Sequence, residues 1–313
     1  LSSQTDLQNA LDLKAPLISP SFTTPTLGTP ASGTLTNCTG LPLAGVVDST
    51  SEPLGVGSIE LGHATDTTIS RTGAGLAAVE GKGIITRVIV TSYITGSAAT
   101  HTFTTGVQYV EVWCTGQGGG GGGAQSADAS SQAAASGGGA GGTAYIVYTA
   151  AEAGADALYT VGTAAGAGGS TSGGNGTDGT SSTFNPAGTG ATITGTGGGA
   201  GLGQTNTTPA ANYLNGGLGG TPTLGSRNFE GGDGEGAYTT TAIQTVIFSG
   251  GGGASLWGGG GRKVGNLTAQ RTAGSNGRAY GSGGAGACAL NNSAGIAGGN
   301  GAVGVILIKE YVQ

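Results

Sequence analysis

Runs of glycine recur through the carboxyl-terminal two thirds of the chain, at 118–123, 137–142, 197–203, 216–220, 250–253, 258–261 and 298–304, and 71 of the 313 residues are glycine. Ordering a glycine costs more backbone freedom than ordering any other residue, about 0.5 to 1 kcal/mol relative to alanine in a regular element. Two outcomes are physically open: a solvated coil, or a close-packed array in which chains without side chains approach and hydrogen-bond backbone to backbone. The pieces between the runs favour order. They carry bulky residues, Tyr213 in NTTPAANYLN, Phe229 in GSRNFE and Trp257 in GASLWGG, which a solvated linker rarely needs. Extended glycine helices with three residues per turn, or tight glycine loops, are expected to hold exposed tips.

Aromatic residues make up 5% of the chain, charged residues 8%, and methionine is absent, so any core is thin, repeated or shared between chains. A net charge of -6 argues against nucleic acid, whose phosphates are held by lysine and arginine. No run of about eighteen apolar residues suggests membrane insertion. The start, LSSQTDLQNA, lacks the basic and apolar regions of a secretory signal. Cys38, Cys114 and Cys288 form no CxxC pair and read as free thiols made in a reducing cytosol. No cofactor or metal is expected.

Along the chain the reading has four parts. Residues 1–18 suggest a short helix: Thr5 and Gln8 have capping-box spacing, Leu7, Ala10 and Leu11 share a face, and Pro16 ends it. So short a helix is marginal alone, and its stripe packs on copies of itself or on its own downstream domain. Residues 19–55 are Thr, Pro, Gly and Ser with isolated aliphatics; Pro20, Pro25 and Pro30 favour extended chain. This is a linker, or a shaft in which Phe22 and Leu27 face a shared axis. Residues 56–96 read as a small β module, with a strand near 84–90. Residues 97–313 form the glycine-rich tip. In its opening strand Val110, Val112 and Cys114 alternate with Tyr109, Glu111 and Trp113. In its closing strand Val303, Val305 and Leu307 alternate with Ile306, Ile308 and Glu310, the period of two expected of strands. AYIVY, LYTV and ATIT are further strand candidates. The expected fold is therefore all-β, with its first and last tip strands paired in one sheet.

The stretch LDLKAPLISPSFTTPTLGTPASGTLTNCTGLPL resembles the shaft of bacteriophage tail fibres, and LGHATDTTISRTGAGLAAVEGKGI resembles a short module of the same proteins. The body, from VEVWCTGQGGGGGGA to GNGAVGVILIKEY, is similar to the glycine-rich domain at the tip of many such fibres. The resemblance implies an elongated homotrimer, with a short amino-terminal helix or coiled coil, a β-rich shaft and a β-sandwich-like tip. It implies a virion component joined to upstream tail proteins, which binds a host-surface receptor, either an outer-membrane protein loop or a surface glycan. A chain that starts at Leu1 without methionine is expected to be part of a longer fibre. A structural segment with recognition elsewhere is the alternative, and a polysaccharide depolymerase a further one, although no nucleophile, base and acid set appears.

Rings offer contact area with little loss of entropy, so the candidate receptor contacts are Tyr213, Phe229 and Trp257, with Asn212, Asn215, Arg227, Asn228, Arg262 and Lys263 as neighbouring donors. The competing role of the rings is packing between glycine layers or subunits. The trimer-interface candidates are Leu7, Ala10, Leu11, Phe22 and Leu27. GGNGTDG at 173–179 matches one repeat of a calcium-binding β-roll, but that motif needs tandem copies, so Asp178, Asp233 and Glu235 read as turn residues facing solvent. His63 and His101 stand alone and read as ordinary surface or turn residues.

Overall fold

The computed structural model describes residues 84–313 apart from 127, 164–165, 207–210, 242–246, 267–270 and 292. It also describes Gln4 and the backbone of four strands, Ser58–Glu60, Thr68–Gly73, Leu76–Val79 and Lys82–Gly83. Those four strands pair antiparallel, each with the next. Apart from Gln4, the expected helix and extended stretch, with Leu7, Ala10, Leu11, Phe22 and Leu27, lie outside the described residues. Among the described residues the fold is all-β, and a short helix, α1, spans Ala150–Ala153. That helix starts on a reciprocal cap: the Glu152 amide donates to Thr149 Oγ1 at 3.3 Å and the Thr149 amide to Glu152 Oε2 at 2.8 Å.

Two antiparallel sheets form a sandwich. Its strands are β1 (Arg87–Tyr93), β2 (Ala99–Thr102), β3 (Val107–Thr115), β4 (Thr143–Thr149), β5 (Asp156–Thr160), β6 (Ser182–Pro186), β7 (Ile193–Gly195), β8 (Arg227–Phe229) and β9 (Val305–Val312). One sheet has the order β8-β4-β3-β9-β1, the other β7-β6-β5-β2. The opening and closing strands β3 and β9 are direct neighbours, with Cys114 opposite Ile306 and Val112 opposite Ile308. β1, read from sequence within the 56–96 module, pairs along its length with β9. Alternation selects the inner face: Val110, Val112 and Cys114 from β3, Tyr148 from β4, and Ile306 and Ile308 from β9 meet Ala157, Tyr159, Phe184 and Ile193 of the facing sheet.

At Thr115 the chain leaves the sheet and continues as 116–123, where the hydrogen-bond period changes from two to three. The amides of Gly116, Gly119 and Gly122 donate to the carbonyls of Gly142, Gly139 and Ser136. Those of Gln117, Gly120 and Gly123 donate to Thr180, Thr177 and Gly174. Those of Gly118, Gly121 and Ala124 donate to Ala302, Gly299 and Ile296, all between 2.9 and 3.0 Å. Its carbonyls accept from Gly198, Gly201 and Gln204, from Gly284 and Ala287, and from Gly169. Every bond goes to another stretch of chain and each neighbour is met at every third residue. That is the signature of an extended threefold helix, which has no internal hydrogen bonds.

The same arrangement repeats around 135–142 and 281–287, and all three segments are buried along their length. Their side chains are small because neighbouring backbones fill the space. A Cβ built on Gly119 would come well inside 3.0 Å of the Gly199 carbonyl oxygen. A net contribution of about 0.5 to 1.5 kcal/mol per internal hydrogen bond is of the size needed to offset the extra cost of ordering glycine.

At the edges of the array, where no further segment is available, side chains supply acceptors. Asp178 Oδ1 accepts from the Ala200 amide at 2.7 Å, Asn175 Oδ1 from Gly203 at 2.9 Å, Asp233 Oδ1 from Gly219 at 2.7 Å and Asn300 Oδ1 from Gly168 at 2.8 Å. This is what GGNGTDG does. Asn175 and Asp178, three residues apart, sit one turn apart on a threefold helix and tie down the same neighbour.

Candidate functional site

The glycine segments run up and down between two ends, and a segment of eight residues spans about 25 Å at about 3.1 Å per residue. One end is the sandwich. The other is a cap of short strands: Ala124–Ser126 beside Gln204–Asn206, Asn212–Leu214 beside Ala237–Thr239, Ile247–Phe248 beside Gly265–Asn266, and Cys288–Leu290 between Arg271–Thr272 and Gln132–Ala134. Small apolar clusters seat the cap on the array: Ala124, Ala133, Ala135, Ala287 and Ala289 form one, and Ala134, Ala237, Ile247, Cys288 and Leu290 the other.

The cap carries the exposed rings. Tyr213 and Tyr238 are directly opposed across two antiparallel strands and are 69% and 58% exposed; Phe248 is 56% exposed. Tyr238 and Phe248 line a cleft of ≈ 540 Å³ with Gln132, Glu235, Thr239, Ile247, Ser249 and Lys263. Lys263 Nζ lies 3.5 Å from Glu235 Oε2, both side chains well exposed. Polar groups of the floor are already held: Gln132 Nε2 donates to the Thr240 carbonyl at 2.9 Å, Gln204 Nε2 to Thr239 Oγ1 at 3.3 Å, and the Val264 amide to Ser249 Oγ at 3.0 Å.

The structure divides the residues singled out in the sequence between the two ends. Asn212 and Tyr213 stand on a cap strand, Lys263 in the cleft, exposed Arg262 next to it in sequence, and exposed Asn215 where the strand enters the array. Arg227, Asn228 and Phe229 form β8, the edge of the sandwich opposite Tyr145, Ala144 and Thr143. Trp257 is half-buried at that end too, and its indole N–H donates to Thr115 Oγ1 at 2.8 Å. Its ring therefore anchors the junction between sheet and array. Tyr238 and Phe248 were not singled out. The signal was available, because both are bulky residues between glycine runs, as Tyr213 is.

The matching family model is that of a glycine-rich domain, and it covers residues 92–311. The chain belongs to the glycine-rich domain family. No curated protein matches the chain. The glycine-rich domain so delimited begins within β1 and ends within β9, taking in sandwich, array and cap.

Two further features of the glycine-rich domain bear on function. The outer face of the larger sheet is apolar and open: Val88, Val90, Tyr109 and Val147 are exposed, with Trp113 and Tyr145 in ring contact at 4.8 Å and Lys309 4.6 Å over the Trp113 ring. Lys309 also pairs with Glu111 at 3.7 Å, and the Tyr311 hydroxyl donates to Glu111 Oε1 at 2.9 Å.

His101, read from sequence as a surface or turn residue, is instead buried inside the sandwich of the glycine-rich domain. Its exposure is 5%, and its Nε2 lies 3.3 Å from Oε1 of Glu310, which is 2% exposed. Nε2 makes no hydrogen bond of acceptable geometry, and the contact with Glu310 is an ion pair only when the imidazole is protonated. Its Nδ1 meets the Tyr93 hydroxyl at 2.9 Å, and the Thr104 amide donates to Glu310 Oε2 at 2.6 Å. Burial pushes the imidazole pKa below its ordinary 6.5, partly opposed by the Glu310 carboxylate. Among the described residues no group of three His, Cys, Asp or Glu side chains is placed to hold a metal.

Proposed function

We propose that the chain is the distal, receptor-reading part of a bacteriophage tail fibre, a homotrimeric adhesin and not an enzyme. The observation that carries this reading is a glycine array, buried and hydrogen-bonded along its inner segments, that holds the exposed rings Tyr213, Tyr238 and Phe248 on the cap opposite the sandwich. A rigid scaffold presenting aromatic loops suits an adhesive surface, because rings immobilised in advance lose little entropy on contact. The shaft-like text upstream supports placement in a virion, joined to upstream tail proteins, and the open outer face of the larger sheet supports assembly with copies of the chain. The receptor reading has two candidate partners, an outer-membrane protein loop and a surface glycan.

The test is adsorption. Purified chain should elute as a trimer in light scattering, coat susceptible cells and block phage attachment. A monomer that neither coats cells nor competes with phage ends the proposal.

A further inference from the structure

We infer that the cleft between Tyr238 and Phe248 is a saccharide-binding site, and that the receptor is read through a surface glycan. This rests on the receptor-reading role proposed above and specifies its partner. The cleft is ≈ 540 Å³, within the range of about 300 to 1,000 Å³ typical of small-ligand pockets. A protein partner generally needs a broader surface, on the order of 800 Å² a side. Two rings more than half exposed flank the opening, each offering an apolar face to the C–H side of a pyranose.

The polar inventory is that of a hydroxyl reader. Glu235 supplies acceptors and Lys263, 3.5 Å away, supplies donors, so one pair of neighbouring sugar hydroxyls can donate to the carboxylate and accept from the ammonium. Thr239 and Ser249 are buried in the floor with their hydroxyls already bonded to Gln204 Nε2 and to the Val264 amide, which keeps the floor from collapsing when the cleft is empty. The cleft sits on the cap, where the glycine array presents it outward, and not in the sandwich.

The experiment uses the full purified chain, fluorescently labelled, on a panel of bacterial cells, untreated, treated with periodate to cleave vicinal diols, or treated with protease to shave surface proteins. Binding is expected to survive protease, to vanish after periodate, and to weaken about tenfold or more in Tyr238→Ala, Phe248→Ala and Glu235→Gln. Tyr109→Ala, on the sandwich face, should bind as the parent does. Slow hydrogen exchange at 118–123 in each variant certifies that the array is intact. Binding abolished by protease and spared by periodate overturns the glycan while leaving the adhesin standing. Periodate-sensitive binding that the cleft variants do not weaken places the site elsewhere and overturns the cleft. Failure to bind any cell in the panel sinks the adhesin reading and the inference together.

Discussion

The backbone amide of Gly119 donates to the carbonyl of Gly139 at 2.9 Å, and the two residues lie on adjacent buried segments that run in opposite directions. What requires glycine is the next neighbour on each: a Cβ on Gly119 would meet the Gly199 carbonyl oxygen, and one on Gly139 the Leu218 carbonyl oxygen, both well inside 3.0 Å. Gly119→Ala would drive a methyl into the Gly199 carbonyl, and the backbone cannot move without breaking neighbouring bonds. A loss of about 3 kcal/mol is expected. Gly259, where a Cβ meets nothing within 4 Å, is the control: Gly259→Ala should change stability by less than about 0.5 kcal/mol. Urea unfolding midpoints of the two variants check both statements, and equal midpoints would refute the array as the source of rigidity.

Asp233 tests the edge staples. Its carboxylate holds the Gly219 amide at 2.7 Å, so Asp233→Ala should cost about 0.5 to 1.5 kcal/mol. It should also speed hydrogen exchange at Gly219 while Gly139, enclosed on all sides, stays slow. Unchanged exchange at Gly219 would mean that the side chain is not its protector.

His101 makes stability depend on pH. Because burial lowers its folded pKa below the ordinary 6.5, the unfolded chain takes up a proton first as the pH falls. The stabilisation is therefore complete above about 6.5 and is lost as the pH drops through that value toward the folded pKa, with a slope of at most about 1.4 kcal/mol per pH unit for one proton. Denaturation midpoints at pH 7.5 and pH 5.5 should fall further apart in the parent than in His101→Asn. The facing groups are Glu310 and Tyr93. A parent and a variant with the same pH dependence would rule this histidine out.

The thiols of Cys114 and Cys288 should be inert. Burial pushes Cys114 up to about 12 and Cys288 up to about 11, so neither is a thiolate near neutrality. Iodoacetamide at pH 8 should leave both unmodified in native protein and label both in urea, as read by peptide mass mapping. Rapid native labelling at either site would contradict the packing at that site.

Much of the sandwich was legible because alternation is a local property. The inner set Val110, Val112 and Cys114 follows from the opening strand alone, and Ile306 and Ile308 from the closing one. Glu310, on that same inner face, could not be read as buried, since its partners His101 and Thr104 come from more than 200 residues earlier. Trp257 is bonded to Thr115 at the junction, a pairing that spans 142 residues and that no local pattern announces. The acids of GGNGTDG and GGDGEG were legible as exposed. Their role as acceptors for neighbouring amides required the neighbours.

From its sequence alone the chain favoured a body of glycine packed on backbone, because residues without side chains are ordered by bringing main chains together. The tertiary structure decided which segments became neighbours, and so which loops share an end of the array. Tyr213, Tyr238 and Phe248 gather on the cap, while Phe229 and Trp257 fall at the sandwich. The physical reason is that a threefold glycine helix looks alike on every side. Its partners are set by the length and direction of each pass between the ends, and no local pattern of residues encodes that.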